Sequence, residues 1–317
     1  MLEILKTVDN RLQLLDHYEP GSWIKVLAPT TEELRYIKET FDIEEDFIKA
    51  SIDPEESAHI ETEDDQVLIV VDIPIRSEYH AEKEDIGEAQ YYTIPLAIIM
   101  LPQCIITVCG DDDTFLDDFR DERVKSFYTQ FKTRFLLQIL YRNSSKYLQY
   151  LRLIEKASNR LENSMKSSMR NKELLELMRL EKSLVYLSTS LRSNGVLLER
   201  LMRNPKINNY PEDEELLEDV MIENRQAIEM AKLYSDILAS TTDAFASIIS
   251  NNQNNFMKVL TTVTIVMVIP QIIGSFMGMN VRLPISEDSP ASFWILVALS
   301  VLLCGALLWW LWRKKML

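Results

Sequence analysis

The stretch that decides this chain is Val259-Leu-Thr-Thr-Val-Thr-Ile-Val-Met-Val-Ile-Pro270-Gln-Ile-Ile-Gly-Ser-Phe-Met-Gly278-Met-Asn280. It holds no Asp, Glu, Lys or Arg, and it meets the roughly 20 residues that a bilayer-spanning helix needs. A second uncharged stretch, Ser289–Trp312, follows a short loop carrying Arg282, Glu287 and Asp288. Phe293 and Trp294 mark one of its edges. Trp309, Trp310 and Trp312 mark the other, followed by Arg313-Lys-Lys, an aromatic belt with a basic stop. Cations gather on cytoplasmic flanks, so Arg313–Lys315 and Lys258 are expected inside. Both termini and the large acidic region then lie in the cytoplasm of a multi-pass cell-membrane protein, and only the loop faces out.

Upstream, neither Gly nor Pro interrupts the chain between Pro211 and Pro270. Glu212, Asp213, Glu214 and Glu215 crowd a helix start, where the helix dipole favours acids. Leu217, Val220, Asn224, Ala227, Ala231, Tyr234, Leu238, Thr241, Phe245 and Ile248 recur at a coiled-coil spacing, the pattern of a helix packing against copies of itself. Unbroken from 212 to 269, this helix would be roughly 85–90 Å long, a stalk rather than a core helix.

Earlier still, strand and helix signals alternate. Trp23-Ile-Lys-Val-Leu-Ala, Gln66–Ile73, Tyr91–Leu101 and Cys104–Cys109 read as strands, with Arg76–Gln90 as an acidic hairpin loop. After Pro29, Thr30 or Thr31 caps a helix on which Leu34, Ile37 and Phe41 are spaced. From about Val124 the pattern is helical, with Phe127, Phe131, Phe135, Ile139 and Leu140 on one face, then a second helix from about Lys172 to Met202. The expected organisation is an α+β cytoplasmic domain over 1–123, a helical hairpin over 124–210 and a stalk over 211–258. A first transmembrane helix over 259–280, an outer loop over 281–291, a second transmembrane helix over 292–312 and a basic tail over 313–317 complete it.

Composition narrows the function. The 317 residues carry 34 Lys+Arg against 49 Asp+Glu, a net charge of −15, which excludes a non-specific nucleic-acid binder. Cys104, Cys109 and Cys304 are odd in number and lack metal-ligand spacing, and His17, His59 and His80 are scattered. No Gly-x-x-x-x-Gly-Lys occurs, so an ATP-driven pump is unsupported. No Ser/His/Asp or Cys/His set converges, so no enzyme and no organic cofactor are expected.

Two spans cannot enclose a pore, so transport requires a ring of subunits. The first span is the polar one, with Thr261, Thr262, Thr264, Gln271 and Ser275; the second, with Ser300 and Cys304, reads as lipid-facing. Continuing the stalk periodicity puts Asn254, Met257, Thr261, Thr264 or Ile265, Val268, and Gln271 or Ile272 on one stripe. A neutral stripe suits a hydrated divalent ion, and Mg²⁺ dehydrates reluctantly.

Gly278-Met279-Asn280 closing the first of two C-terminal spans, behind a stalk and before a short outer loop, resembles the CorA-type magnesium and cobalt channels. Met257-Lys-Val-Leu-Thr, Ile60-Glu61, Gln66-Val-Leu-Ile and Ile105-Ile-Thr-Val are similar to that family as well. The resemblance implies a funnel-shaped homopentamer in the lipid bilayer that passes hydrated Mg²⁺, and Co²⁺, down its electrochemical gradient. It implies a selectivity filter at Gly278, Met279 and Asn280, where amide oxygens meet the ion's water shell. It implies a pore lined by Gln271, Val268, Thr264, Leu260, Met257 and Asn254, so that the choice between Leu260 and Thr261 stays open. Glu287 and Asp288 would attract cations to the loop, and Gly278 would allow a sharp turn at the helix end. Asp219 matches the family's regulatory stalk carboxylate. Three departures stand out: Met277 replaces an aromatic residue, Leu283-Pro284-Ile285 lacks an acid, and the sensor's Glu-Asp pair falls on Lys49-Ala50. A zinc or other divalent-cation transporter of the same fold is the alternative, and a membrane-anchored scaffold the third reading.

Overall fold

The structure is a computed structural model that describes residues 1–77, 89–111, 114–167, 171–204, 211–279 and 290–314. The chain forms two compact units, Met1–Thr242 and Asp243–Leu317.

The first unit is built on a seven-stranded sheet. Its strands are β1 (Leu2–Val8), β2 (Arg11–Leu15), β3 (Trp23–Leu27), β4 (His59–Glu63), β5 (Gln66–Arg76), β6 (Tyr91–Met100) and β7 (Ile105–Cys109), in the order β2-β1-β3-β7-β6-β5-β4. Among the described strands only β3 and β7 run parallel, with Trp23 opposite Ile105. A crossover is needed there, and the β4–β6 excursion supplies it. The long β5–β6 hairpin pairs from Val67↔Met100 to Arg76↔Tyr91, and the Ser77 amide donates to Gln90 O.

Helix α1 (Thr31–Phe41) starts at the Thr30 cap: Glu33 N donates to Thr30 Oγ1, and Thr30 N donates to the Glu33 carboxylate. This reciprocal pair satisfies two amides that the first turn leaves open. Helix α1 and the short α2 (Glu45–Ala50) bury Ile37, Ile43 and Phe47 against one face of the sheet, on Ile24, Val70 and Ile99. The other face is covered by the short α3 (Asp117–Arg120), α4 (Lys132–Ser167), α5 (Asn171–Met202) and the first part of α6 (Pro211–Met277).

The reading of a helix from about Val124 is corrected, because α4 begins at Lys132. Ser126 has φ 55°, which an α-helix does not tolerate. Thr129 exchanges backbone-to-hydroxyl bonds with Thr7 of β1, at 3.0 and 3.2 Å. Phe127 and Phe135 still meet, with ring centroids 4.6 Å apart beside buried Trp23, but Phe131 points outward.

Beyond the end of β4, Asp72 of β5 pairs with β6 on one side, opposite Pro95, and on its other side no described strand completes its backbone bonds. Asn194 of α5 acts as one: Asp72 N donates to Asn194 Oδ1 at 3.0 Å, and Asn194 Nδ2 donates to Asp72 O at 2.8 Å. Asn143 Nδ2 and the Tyr147 hydroxyl, both from α4, donate to the same carbonyl. The sheet thus holds both helices by polar bonds at one residue. The Asp72 carboxyl sits in this partly dry setting, and burial pushes its pKa up to about 6.

Helix α6 presents to α4 and α5 the stripe that sequence assigned to copies of the chain. Leu217, Val220, Asn224, Ala227, Ala231 and Leu238 are buried within the single subunit. Asn224 Nδ2 donates to Leu191 O, and the Tyr234 hydroxyl donates to Glu155. Gly195 of α5 allows this approach, since a Cβ there would meet Asn224 Nδ2 at 3.2 Å. Ile222, Leu233 and Ile237, on other faces of α6, are exposed. Asp213, in the first turn of α6, is 7% exposed and lies 4.0 Å from Arg134.

Candidate functional site

The second unit pairs the end of α6 with α7 (Pro290–Arg313). Both helices are long and apolar enough to cross a membrane. In α6 the covered positions are Thr262, Val266, Ile269 and Ile273, spaced four, three and four apart, one helical face. In α7 they are Leu296, Ser300, Cys304, Leu307 and Leu311. Cys304 Sγ lies 3.5 Å from Val266 O, so these two faces look at each other. Ser300 and Cys304 therefore face α6, while most of the other described residues of α7 are exposed. Composition could not show this, because Ser300 returns its hydroxyl to Leu296 O and both side chains are small.

At about 100° per residue, Met257, Leu260, Thr264, Val268 and Gln271 lie about 130–170° around the helix from the α7 face. All five are exposed in the isolated chain. Thr261 lies about 110° from that face and Asn254 about 90°. The side of α6 that α7 leaves open is thus centred near Thr264 and Gln271, takes in Leu260 more fully than Thr261, and has Asn254 displaced to its edge. Thr264 is on this side, but its hydroxyl hydrogen goes to Leu260 O at 2.8 Å. Only the lone pairs of its oxygen face outward.

The helix ends at Met277. Gly278 N donates to Gly274 O at 3.1 Å, and Met279 N donates to Phe276 O at 3.3 Å. The chain turns at Gly278 and bends at Met279 without a left-handed backbone. Among the described glycines only Gly21 has a left-handed φ, and a Cβ at Gly278 would meet carbonyl oxygens at an ordinary 3.6–3.7 Å. Gly278 and Met279 are exposed at the end of α6. Asn280, Glu287 and Asp288 lie outside the described residues.

In the first unit, Asp219 is exposed on α6. Lys49, where the sensor's acid was expected, lies 3.2 Å from both Glu45 and Asp46. Hydrogen bonds, to Glu45 first, raise the Lys49 pKa, so this spot carries a fixed cation. Nearby Asp53 accepts from the Glu55 amide, and Glu56 lies 3.5 Å from His59. Among the described residues of one chain, no three His, Cys, Asp or Glu side chains gather into a metal site. At the far end of α7, Arg313 lies over Trp309 and Lys314 over Trp310, at 5.4 and 6.0 Å. Cation–π contacts of this kind hold a basic stop at the headgroup level.

Sequence reasoning missed two parts of this arrangement. One is the Cys304–Val266 bond, whose only signal was the coincidence of Pro270 with a polar residue on the next span. The other is the Asp72 network, which no local pattern announces.

The family described as CorA-like Mg2+ transporter protein matches residues 19–315. The cobalt/magnesium transport protein CorA of Methanocaldococcus jannaschii is 26% identical over 290 residues, covering 89% of this chain and 86% of that protein. The complete structure of the CorA magnesium transporter from that organism superposes with a TM-score of 0.80 at 24% identity, covering 100% of this chain and 99% of the other. The cytoplasmic domain of ZntB from Vibrio parahaemolyticus superposes with a TM-score of 0.61 at 14% identity, covering 80% and 98%.

Proposed function

This chain belongs to the CorA-like Mg²⁺ transporter family, and on that premise we propose that it conducts hydrated Mg²⁺, and Co²⁺, across the cytoplasmic membrane as a homopentamer. The observation that carries the proposal is the side of α6 left open by α7, with Met257, Leu260, Thr264, Val268 and Gln271 along it. Placed around a common axis, five such sides would line a conduit with no formal charge. Mg²⁺ keeps its waters where ligands do not replace them. Gln271 would then meet the water shell through its amide oxygen, and Asn280 would do so at the outer mouth behind Gly278 and Met279. Leu260 and Met257 would form the apolar constriction, which gates by excluding water. Asn254, at the edge of the stripe, would sit at the cytoplasmic approach.

The driving force is electrical. A divalent ion gains roughly 4–5 kcal/mol for each 100 mV of inside-negative potential. Glu287 and Asp288 would raise the local cation concentration outside. Arg313 and Lys314 would hold both termini in the cytoplasm. Asp219 is the stalk carboxylate available to a regulatory Mg²⁺. Lys49, held charged by Glu45 and Asp46, opposes such a site on its own surface.

The test is Mg²⁺ uptake into liposomes holding the purified protein, read by an internal dye, with Asn280→Ala in parallel. Uptake driven by the potential and lost in Asn280→Ala supports both the channel and the mouth ring. Uptake surviving in Asn280→Ala moves selectivity to Gln271 or the outer loop. No uptake from inserted oligomers overturns the reading. A zinc transporter of the same architecture is the second reading, and the likeness to the ZntB domain concerns fold alone. The open side of α6 carries neither His nor Cys, so it offers no zinc ligand of the usual kind. Zn²⁺ uptake exceeding Mg²⁺ uptake in the same vesicles would favour it.

A further inference from the structure

Pro270 lies inside α6. It has no N–H, so the carbonyl four residues earlier loses its helical partner. That carbonyl belongs to Val266. In the hydrocarbon core no water can replace the missing donor, and proline is tolerated there because neighbouring helices supply one. Cys304 of α7 points its Sγ at Val266 O from 3.5 Å. A thiol is a weak donor, and 3.5 Å is a normal separation for a hydrogen bond from sulfur. Both groups are half-buried on the face where α6 and α7 meet. Val268 and Gln271, which flank Pro270, lie on the open side of the same helix.

We propose that Cys304 is a positioning residue for conduction: its thiol supplies Val266 O with the hydrogen bond that Pro270 withholds, and so ties the proline-interrupted turn of α6 to α7. The proline leaves α6 jointed at the level of Val268 and Gln271. The thiol sets the angle of that joint from behind, on the side away from the conduit. This rests on the reading of α6 as the conduit's lining, but the bond itself is testable without transport.

Two measurements on the full-length protein test it. In liposomes, Cys304→Ala is expected to lower the Mg²⁺ uptake rate by about two- to tenfold, the range of one modest hydrogen bond. Cys304→Ser, which keeps a donor, is expected to stay within about twofold of wild type. Oligomer recovery is to be matched among the three by gel filtration. An unchanged or raised rate in Cys304→Ala overturns the positioning role, and so does a loss that serine does not rescue. The second measurement is the infrared S–H stretch of Cys304, isolated by subtracting the spectrum of Cys304→Ala. The band is expected at lower frequency in wild type than in Pro270→Ala, where the restored N–H competes for Val266 O. Equal frequencies overturn the bond. If the wild-type protein moves no Mg²⁺, the functional reading falls, while the infrared result still decides the bond.

Discussion

Asp72 shows how one residue joins secondary structure to pH. Its backbone is completed by Asn194, Asn143 and Tyr147, which places its carboxyl among helices rather than in water. With a pKa raised from 3.8 to about 6, the folded state holds this proton more tightly than the unfolded chain does. The burial cost is therefore absent below about pH 4 and complete above about pH 6, so stability falls as pH rises between them. Asp72→Asn is expected to stabilise the protein at pH 7.5 by at most about 3 kcal/mol, and by little at pH 4. Thermal unfolding of the two proteins in detergent across this range checks it. At Leu260 the issue is which neighbour faces the conduit. Leu260→Ala is expected to raise basal Mg²⁺ flux several-fold, because a wider apolar constriction wets more readily. Thr261→Ala, turned about 40° closer to α7, is expected to change it by less than about twofold. Stopped-flow uptake with both variants decides between the registers. Gly278 makes a third case. Since its φ is ordinary and a Cβ has room, Gly278→Ala is expected to fold and assemble normally. A fall in uptake would then report crowding between subunits at the mouth, not a broken turn.

At the scale of elements, α6 has two kinds of apolar surface. Its regular stripe is consumed inside the subunit by α4 and α5. Of its other apolar residues, Ile222, Leu233 and Ile237 are uncovered. These faces should respond differently to truncation. Leu238→Ala removes a fully buried side chain and is expected to cost about 2–4 kcal/mol of subunit stability. Leu233→Ser is expected to leave subunit stability nearly unchanged and to weaken the oligomer in detergent. Thermal unfolding and light scattering, measured on each variant, separate the two effects. The cap of α1 is a local counterpart. Thr30→Ala breaks the reciprocal Thr30–Glu33 pair and is expected to cost about 1 kcal/mol without touching Mg²⁺ uptake.

For the molecule as a whole, charge and hydropathy are segregated along the chain. Acidic residues crowd the first unit, and both membrane-length helices close the chain. The proposed topology gives this segregation a direction. Protease added to inside-out vesicles is expected to degrade the first unit, and protease added to right-side-out vesicles to spare it. Protection in the opposite sense would reverse the orientation drawn from Arg313 and Lys314.

The sequence carried the two spans, the strand-rich start, the helical middle and the family. These follow from local properties: the absence of charge over 20 residues, β-branched runs, cap chemistry and a short terminal motif. It also located the polar span, because partition into a bilayer depends on composition residue by residue. Tertiary structure alone decided what covers each face. Periodicity says that a helix has an apolar stripe but is silent on its partner, so the stripe of α6 suited copies of the chain as well as it suits α4 and α5. The same degeneracy leaves Leu260 and Thr261 undistinguished by periodicity, and only Thr262, Val266, Ile269 and Ile273 show which face of α6 is covered by α7. The start of α4 moved from Val124 to Lys132 because Thr129 bonds to a strand more than a hundred residues away. Cys304 was a small residue in an apolar run until Val266 O, freed by a proline on another helix, came within 3.5 Å of it. In each case the deciding partner is distant in sequence, and a pattern read along one segment carries no information about what folds against it.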